Sequence, residues 1–166
     1  MQSSQHTYMQ RESQQETLFD AVGGLETLKK VHKIFYDKIY AHNWLKLFFA
    51  GHNQQSIENR QTAFMAEKMG GPVEYFGKQP AMTHRHMYIT QKLYDIRHEL
   101  LRDSLHEAGV EGALSERWLK IDYAFIRQIV KPSIESFYQT TFRYEKRIII
   151  PEPANTDEDR GGIEKF

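Results

Sequence analysis

Apolar side chains return at intervals of three and four along most of the chain and nowhere alternate in a run long enough for a strand pair, so every strong element reads as helical. The stretch "TLFDAVGGLETLKKVHKIFYDKIYAH" puts Leu28, Val31, Ile34 or Phe35, and Ile39 on one face, with Gly23-Gly24 as punctuation. It predicts a short helix, a tight break and a longer helix. "NWLKLFFAGHN" is a hydrophobic corner ending at Gly51, and "SIENRQTAFMAEKM" follows with Ile57, Gln61, Phe64 and Met65 along one face until Gly70-Gly71-Pro72 stops it. From Thr90 to about Ala108 the stripe is Leu93, Ile96, Leu100, Leu101 and Leu105, with Gly109 just past the end. Ser115 is placed to cap "ERWLKIDYAFIRQIV", in which Leu119, Phe125, Ile126 and Ile129 face inward and Asp122 is left outside.

The ends read differently. Residues 1–16 are Gln- and Ser-rich with few apolar positions, a composition that does not offset ordering entropy by burial, so they are expected to form a polar extension with at most a helical turn near Tyr8 and Met9. Residues 17–131 form the expected domain. Pro132 interrupts the last helix, and 132–166 are expected to be an extension, partly helical around Ile134, Phe137, Tyr138 and Phe142, then disordered through "PEPANTDEDRGG".

With 166 residues, 40% hydrophobic and 13% aromatic, the chain can bury one real core. Lys plus Arg equals Asp plus Glu at 22 each, so no net field draws in nucleic acid. No apolar run has the length of a membrane span, and "MQSSQHTYMQRESQQE" is polar where a signal peptide is hydrophobic, which reads as a cytoplasmic protein with no membrane partner. The absence of cysteine excludes disulfides, iron–sulfur clusters, Cys-type zinc sites and a thiolate axial ligand, leaving His, carboxylate or Tyr for any metal. "HELLRDSLHE" holds His98 and His106 without the Glu-x-x-His spacing of a non-haem metal bundle. In "PAMTHRHMYIT", His84 and His86 stand two apart, which on a helix turns the side chains by about 200 degrees, so the pair cannot chelate one ion together.

Taken in order, "LFDAVGG", "FY", "FF", "QTAF", "MGGPVEYFGK", "MTHRHMYIT" and "AGV" resemble the truncated haemoglobins, over roughly Leu18 to Val130. The resemblance implies an all-α fold, a two-over-two helical sandwich around haem b (iron protoporphyrin IX). It implies His84 as the iron ligand, Tyr36 as the phenol that reaches the gaseous ligand, and Phe49 as the aromatic packed flat on the porphyrin. It further implies haem contacts from Ile57, Gln61, Phe64, Met87 and Ile89, with Gln61 bracing Tyr36, and from Arg60 and Lys78 near the propionates. Related branches with a similar proximal stretch carry Trp where Arg97 stands, whereas Gln61, "AGHN" and Ile57 are more similar to the branch with internal ligand tunnels, so the subgroup stays open.

The implied function is reversible binding of dioxygen, and of nitric oxide or carbon monoxide, at a His-ligated iron. A haem enzyme for nitric oxide dioxygenation or peroxide reduction would use the same pocket with a reductase partner. A haem-free helical interaction module is the alternative from a different class.

Overall fold

Thr17 accepts the Asp20 N–H at 3.1 Å and caps helix α1 (Leu18–Val22). Gly23 then ends α1 at φ 108° and opens α2 (Gly24–Ala41) without an intervening residue. A side chain at that left-handed φ is strained, so glycine is what lets two helices share one junction. The computed structural model of the protein describes residues 15–141 and 146–154. The expected helical turn near Tyr8 and Met9, the placement of Phe142 and most of the expected disorder of "PEPANTDEDRGG" lie outside them; its first four residues, 151–154, are described, and Glu152 pairs with Lys92 at 2.7 Å.

Helix α2 buries Leu28, Val31, His32, Phe35, Tyr36 and Ile39, the face its spacing predicts. A 3-10 helix, Leu45–Phe49, forms the corner. Helix α3 (Gln54–Lys68) is capped by Asn53, which accepts the Ser56 N–H at 2.9 Å. Its buried face differs from the expected one: Glu58, Thr62, Phe64, Met65 and Ala66 point in, while Ile57 and Gln61 sit half-buried at the edge. The reason is a polar contact across the helix pair, His32 Nδ1 to Thr62 Oγ1 at 2.7 Å, which draws Thr62 inward.

Helix α4 (Pro80–His84) ends at the first of the two histidines, so His86 is not on the helix at all and the two are separated by a turn. Helix α5 (Gln91–Glu107) is capped by Thr90. Helix α6 (Gly112–Tyr123) starts one turn earlier than expected: the Glu111 carboxylate accepts the N–H groups of Ala113 and Leu114 at 3.1 and 3.4 Å, and Ser115, inside the helix, donates to the Val110 carbonyl. Short helices α7 (Ile126–Ile129) and α8 (Ile134–Thr140) flank Pro132.

Helix α2 packs against α3 and α5, α6 packs on α5, α1 touches α2 and α6, and α4 meets α7. Leu28, Val31, Phe35, Leu101, Leu105 and Trp118 form the centre of the core. Each such side chain contributes about 1.5–3 kcal/mol on full burial. Among the described residues no helix is long and apolar enough to cross a membrane.

Candidate functional site

A cavity of about 130 Å³ opens between α2, the 3-10 corner, α3, α4 and α5, and is completed by Asp122 of α6 and Ile129 of α7. Its wall is mainly apolar: Ile39, Leu45, Phe48, Leu93, Phe125 and Ile129 take part. Few polar groups interrupt it, the pattern of a site that orients a ligand through a few contacts.

On α2, the stripe that buries Phe35 turns Tyr36 onto the cavity wall, where it is 5% exposed. Its ring meets Phe35 and Phe49 edge-on, with centroids 5.0 and 6.0 Å away. Burial, eased by Arg97, pushes the phenol up to about 12, so the hydroxyl keeps its proton. Among the described residues this hydroxyl makes no hydrogen bond, and Gln61, also on the wall, does not reach it. Both face the same space as independent polar groups.

At the end of α4, the His84 Nδ1–H donates to the Pro80 carbonyl at 2.8 Å. That bond fixes the tautomer and leaves Nε2 as the nitrogen with a free lone pair. Burial lowers the ring's pKa to about 4, with Arg97, Lys131 and His86 opposing the cation and the Pro80 bond working the other way. His84 is therefore neutral at pH 7 and lines the cavity. One oriented, neutral imidazole, one protonated phenol and an apolar slot fit the haem that the resemblance implies, because iron takes a neutral nitrogen and the macrocycle takes apolar walls.

Of the other implied residues, Phe49, Gln61, Phe64 and Ile89 also line the cavity. Ile57, Arg60, Lys78 and Met87 lie off its wall. Ile57 packs half-buried on the core, and exposed Arg60 directs Nε to the Ser56 carbonyl at 3.5 Å. Lys78 is exposed, its carbonyl accepting the Tyr75 hydroxyl, and Met87 is paired with Ile148.

The wall also holds a charged pair that the sequence reading did not join. Asp122, expected outside, is 4% exposed and receives Arg97 Nη1 at 2.7 Å, and its own backbone carbonyl accepts the Tyr94 hydroxyl at 2.8 Å. Burial favours the neutral acid, but Arg97 and His98 outweigh it and hold Asp122 down at about 2. Burial likewise opposes the Arg97 cation, and Asp122 outweighs it, pushing its pKa up. The signal was available: opposite charges at inward positions of two apolar stripes, Leu93–Arg97–Leu101 and Leu119–Asp122–Ile126, imply a buried pair.

Residues 17–130 match a family model described as bacterial-like globin. The chain is 32% identical over 100 residues to the group 1 truncated hemoglobin GlbN of Mycolicibacterium paratuberculosis, covering 60% of this chain and 74% of that protein. It is 29% identical over 106 residues to a group 1 truncated hemoglobin of Tetrahymena pyriformis, covering 64% and 88%. Among solved structures, the truncated hemoglobin of Tetrahymena pyriformis in its Fe(III) form aligns with a TM-score of 0.65 at 27% identity, over 69% of this chain and 98% of that one. The group II truncated hemoglobin of Bacillus anthracis shares the fold, with a TM-score of 0.66 at 22% identity over 72% of this chain and 94% of that one.

Proposed function

The chain belongs to the bacterial-like globin family and has the two-over-two fold of the truncated haemoglobins, and from that premise we propose that it holds haem b through His84 and binds dioxygen in the cavity beneath Tyr36. Membership in the family implies a haem and ligand binding; the haem type, the ligating residue and the gas are our reading. The observation that carries it is the pairing, on one cavity wall, of an imidazole oriented by the Pro80 carbonyl with a buried phenol whose hydroxyl makes no hydrogen bond among the described residues.

When bound, haem supplies an iron that takes one nitrogen ligand and one diatomic gas. The chain's own residues do the rest. His84, neutral and held by Pro80, presents Nε2 without first losing a proton. Phe49, Phe64 and Ile89 give apolar contact and exclude water. Tyr36, its proton retained, donates to a ligand that carries partial negative charge, and Gln61 is a second donor on the same wall. Arg97 adds no net charge there, because Asp122 neutralises it.

One absorption spectrum tests the reading. Purified protein given hemin is expected to show an intense Soret band that moves on reduction and again with carbon monoxide. His84→Ala is expected to lose the haem or hold it loosely. A protein that takes up no hemin, or whose spectrum is indifferent to His84→Ala, sinks it.

A further inference from the structure

The family match ends at residue 130, yet the segment beyond it makes a concentrated set of contacts with the loop between His84 and α5. Lys131 Nζ donates to the His84 carbonyl, and the Lys131 N–H donates to the Ile89 carbonyl at 2.9 Å. Ile148 forms a parallel bridge with Met87: its N–H donates to the His86 carbonyl and its carbonyl accepts the Tyr88 N–H, both at 2.8 Å. Phe137, fully buried, sits under Tyr88 with ring centroids 5.5 Å apart. Trp44 Nε1 donates to the Ile150 carbonyl at 3.0 Å, and Lys92 meets Glu152 at 2.7 Å, which fixes the strap at points outside the loop.

The loop has little internal ladder of its own. Met87 N–H to His84 carbonyl and Ile89 N–H to Met87 carbonyl are its local bonds, while the carbonyls of His84, His86 and Ile89 and the N–H of Tyr88 are all met by Lys131 and Ile148. Backbone groups satisfied in this way hold a segment in one conformation that it would otherwise share with many. His84 is then held at two places: its imidazole Nδ1 by Pro80 within α4, and its backbone carbonyl by Lys131 from outside it.

We infer that Lys131 and the strap at residues 147–152 are a positioning device for His84, clamping the loop that follows it so that the imidazole is held in one orientation toward the cofactor. This rests on the reading of His84 as the iron ligand. Lys131 and Ile148 touch the loop and not the cavity, so they act through His84 and are positioning residues. The expected consequence is slower cofactor loss and a stiffer, more uniform iron–histidine bond than residues 17–130 alone would give.

The test compares the full chain with Lys131→Met, which keeps the aliphatic stem and removes the donor, Lys131→Arg, which restores one, and Ile148→Pro, which removes the N–H to His86. Hemin transfer to excess apomyoglobin and the iron–histidine stretching band of the ferrous protein by resonance Raman are read on each, with circular dichroism to check helix content. Lys131→Met and Ile148→Pro are expected to lose hemin about fivefold faster or more and to shift or broaden the band, with Lys131→Arg close to wild type. If Ile148→Pro lost helix content, Lys131→Met would still decide the matter. Unchanged hemin loss and an unchanged band in Lys131→Met, with wild type binding hemin through His84, overturn the inference alone. Wild type that takes up no hemin overturns both this and the reading beneath it.

Discussion

Tyr36 and His84 face one cavity with opposite requirements for their protons, and burial serves both: it keeps the phenol protonated and the imidazole neutral. A hydrogen bond to a charged acceptor contributes about 1.5–3 kcal/mol, and about 1.4 kcal/mol is tenfold in an equilibrium. Tyr36→Phe is therefore expected to raise the oxygen dissociation rate by on the order of tenfold or more while changing carbon monoxide release much less. Stopped-flow measurement of both gases checks it, and equal effects would mean that Tyr36 acts by bulk. Gln61→Leu is expected to act in the same direction but more weakly, because Gln61 is not hydrogen-bonded to Tyr36 and is a second, separate donor on the wall. At this scale the resemblance supplied a register that brings Tyr36, Phe49 and His84 to one cavity. Arg60 and Lys78 are exposed and do not line the cavity, and spacing alone does not say which way a flexible stem turns.

At the scale of elements, the helices themselves were legible because apolar spacing, Gly23 and the Gly70-Gly71 stop all point the same way. What the pattern missed was polar chemistry inside it. Ser115 lost the cap to Glu111, whose longer carboxylate reaches two N–H groups, and Asp122 was set outside because a carboxylate seldom enters a core unless paired. The pairing with Arg97 joins α5 to α6 next to the cavity. Removing one partner of a buried pair strands the other and costs about 3–5 kcal/mol, whereas replacing both with apolar groups is often neutral. Asp122→Leu is thus expected to lower stability strongly, and Arg97→Met with Asp122→Leu to recover most of it, as read by urea unfolding of each variant. An additive double variant would show that the two charges do not depend on each other. Gly71 makes a second point about elements: a Cβ there would come within 2.7 Å of Phe19 Cγ and 3.0 Å of the Ala66 carbonyl. Gly71→Ala is expected to loosen the packing of α1 on the end of α3, lowering the melting temperature seen by circular dichroism.

For the molecule as a whole, acid should weaken the haem-free fold well before its carboxylates protonate. Burial holds His32 down to about 3 and His84 to about 4, against an ordinary 6.5. Below pH 6.5 the unfolded chain takes up protons on both that the folded chain refuses, so stability falls with pH, approaching about 1.4 kcal/mol per unit for each histidine. Asp122 has the opposite origin and the same direction: its depressed pKa adds stability above 3.8 that is lost between there and about 2. His32→Gln is expected to flatten the pH dependence of the urea midpoint between pH 6 and 4, and an unaltered slope would assign the effect to other groups. The strap has a last consequence, in time rather than in space. Lys92 and Glu152 stand 60 positions apart in the chain, and ribosomes add roughly 5–20 residues per second. The loop bearing His84 therefore leaves the ribosome several seconds before residues 147–152 do, which gives a nascent chain an interval in which a cofactor meets a cleft that the strap has not yet fastened.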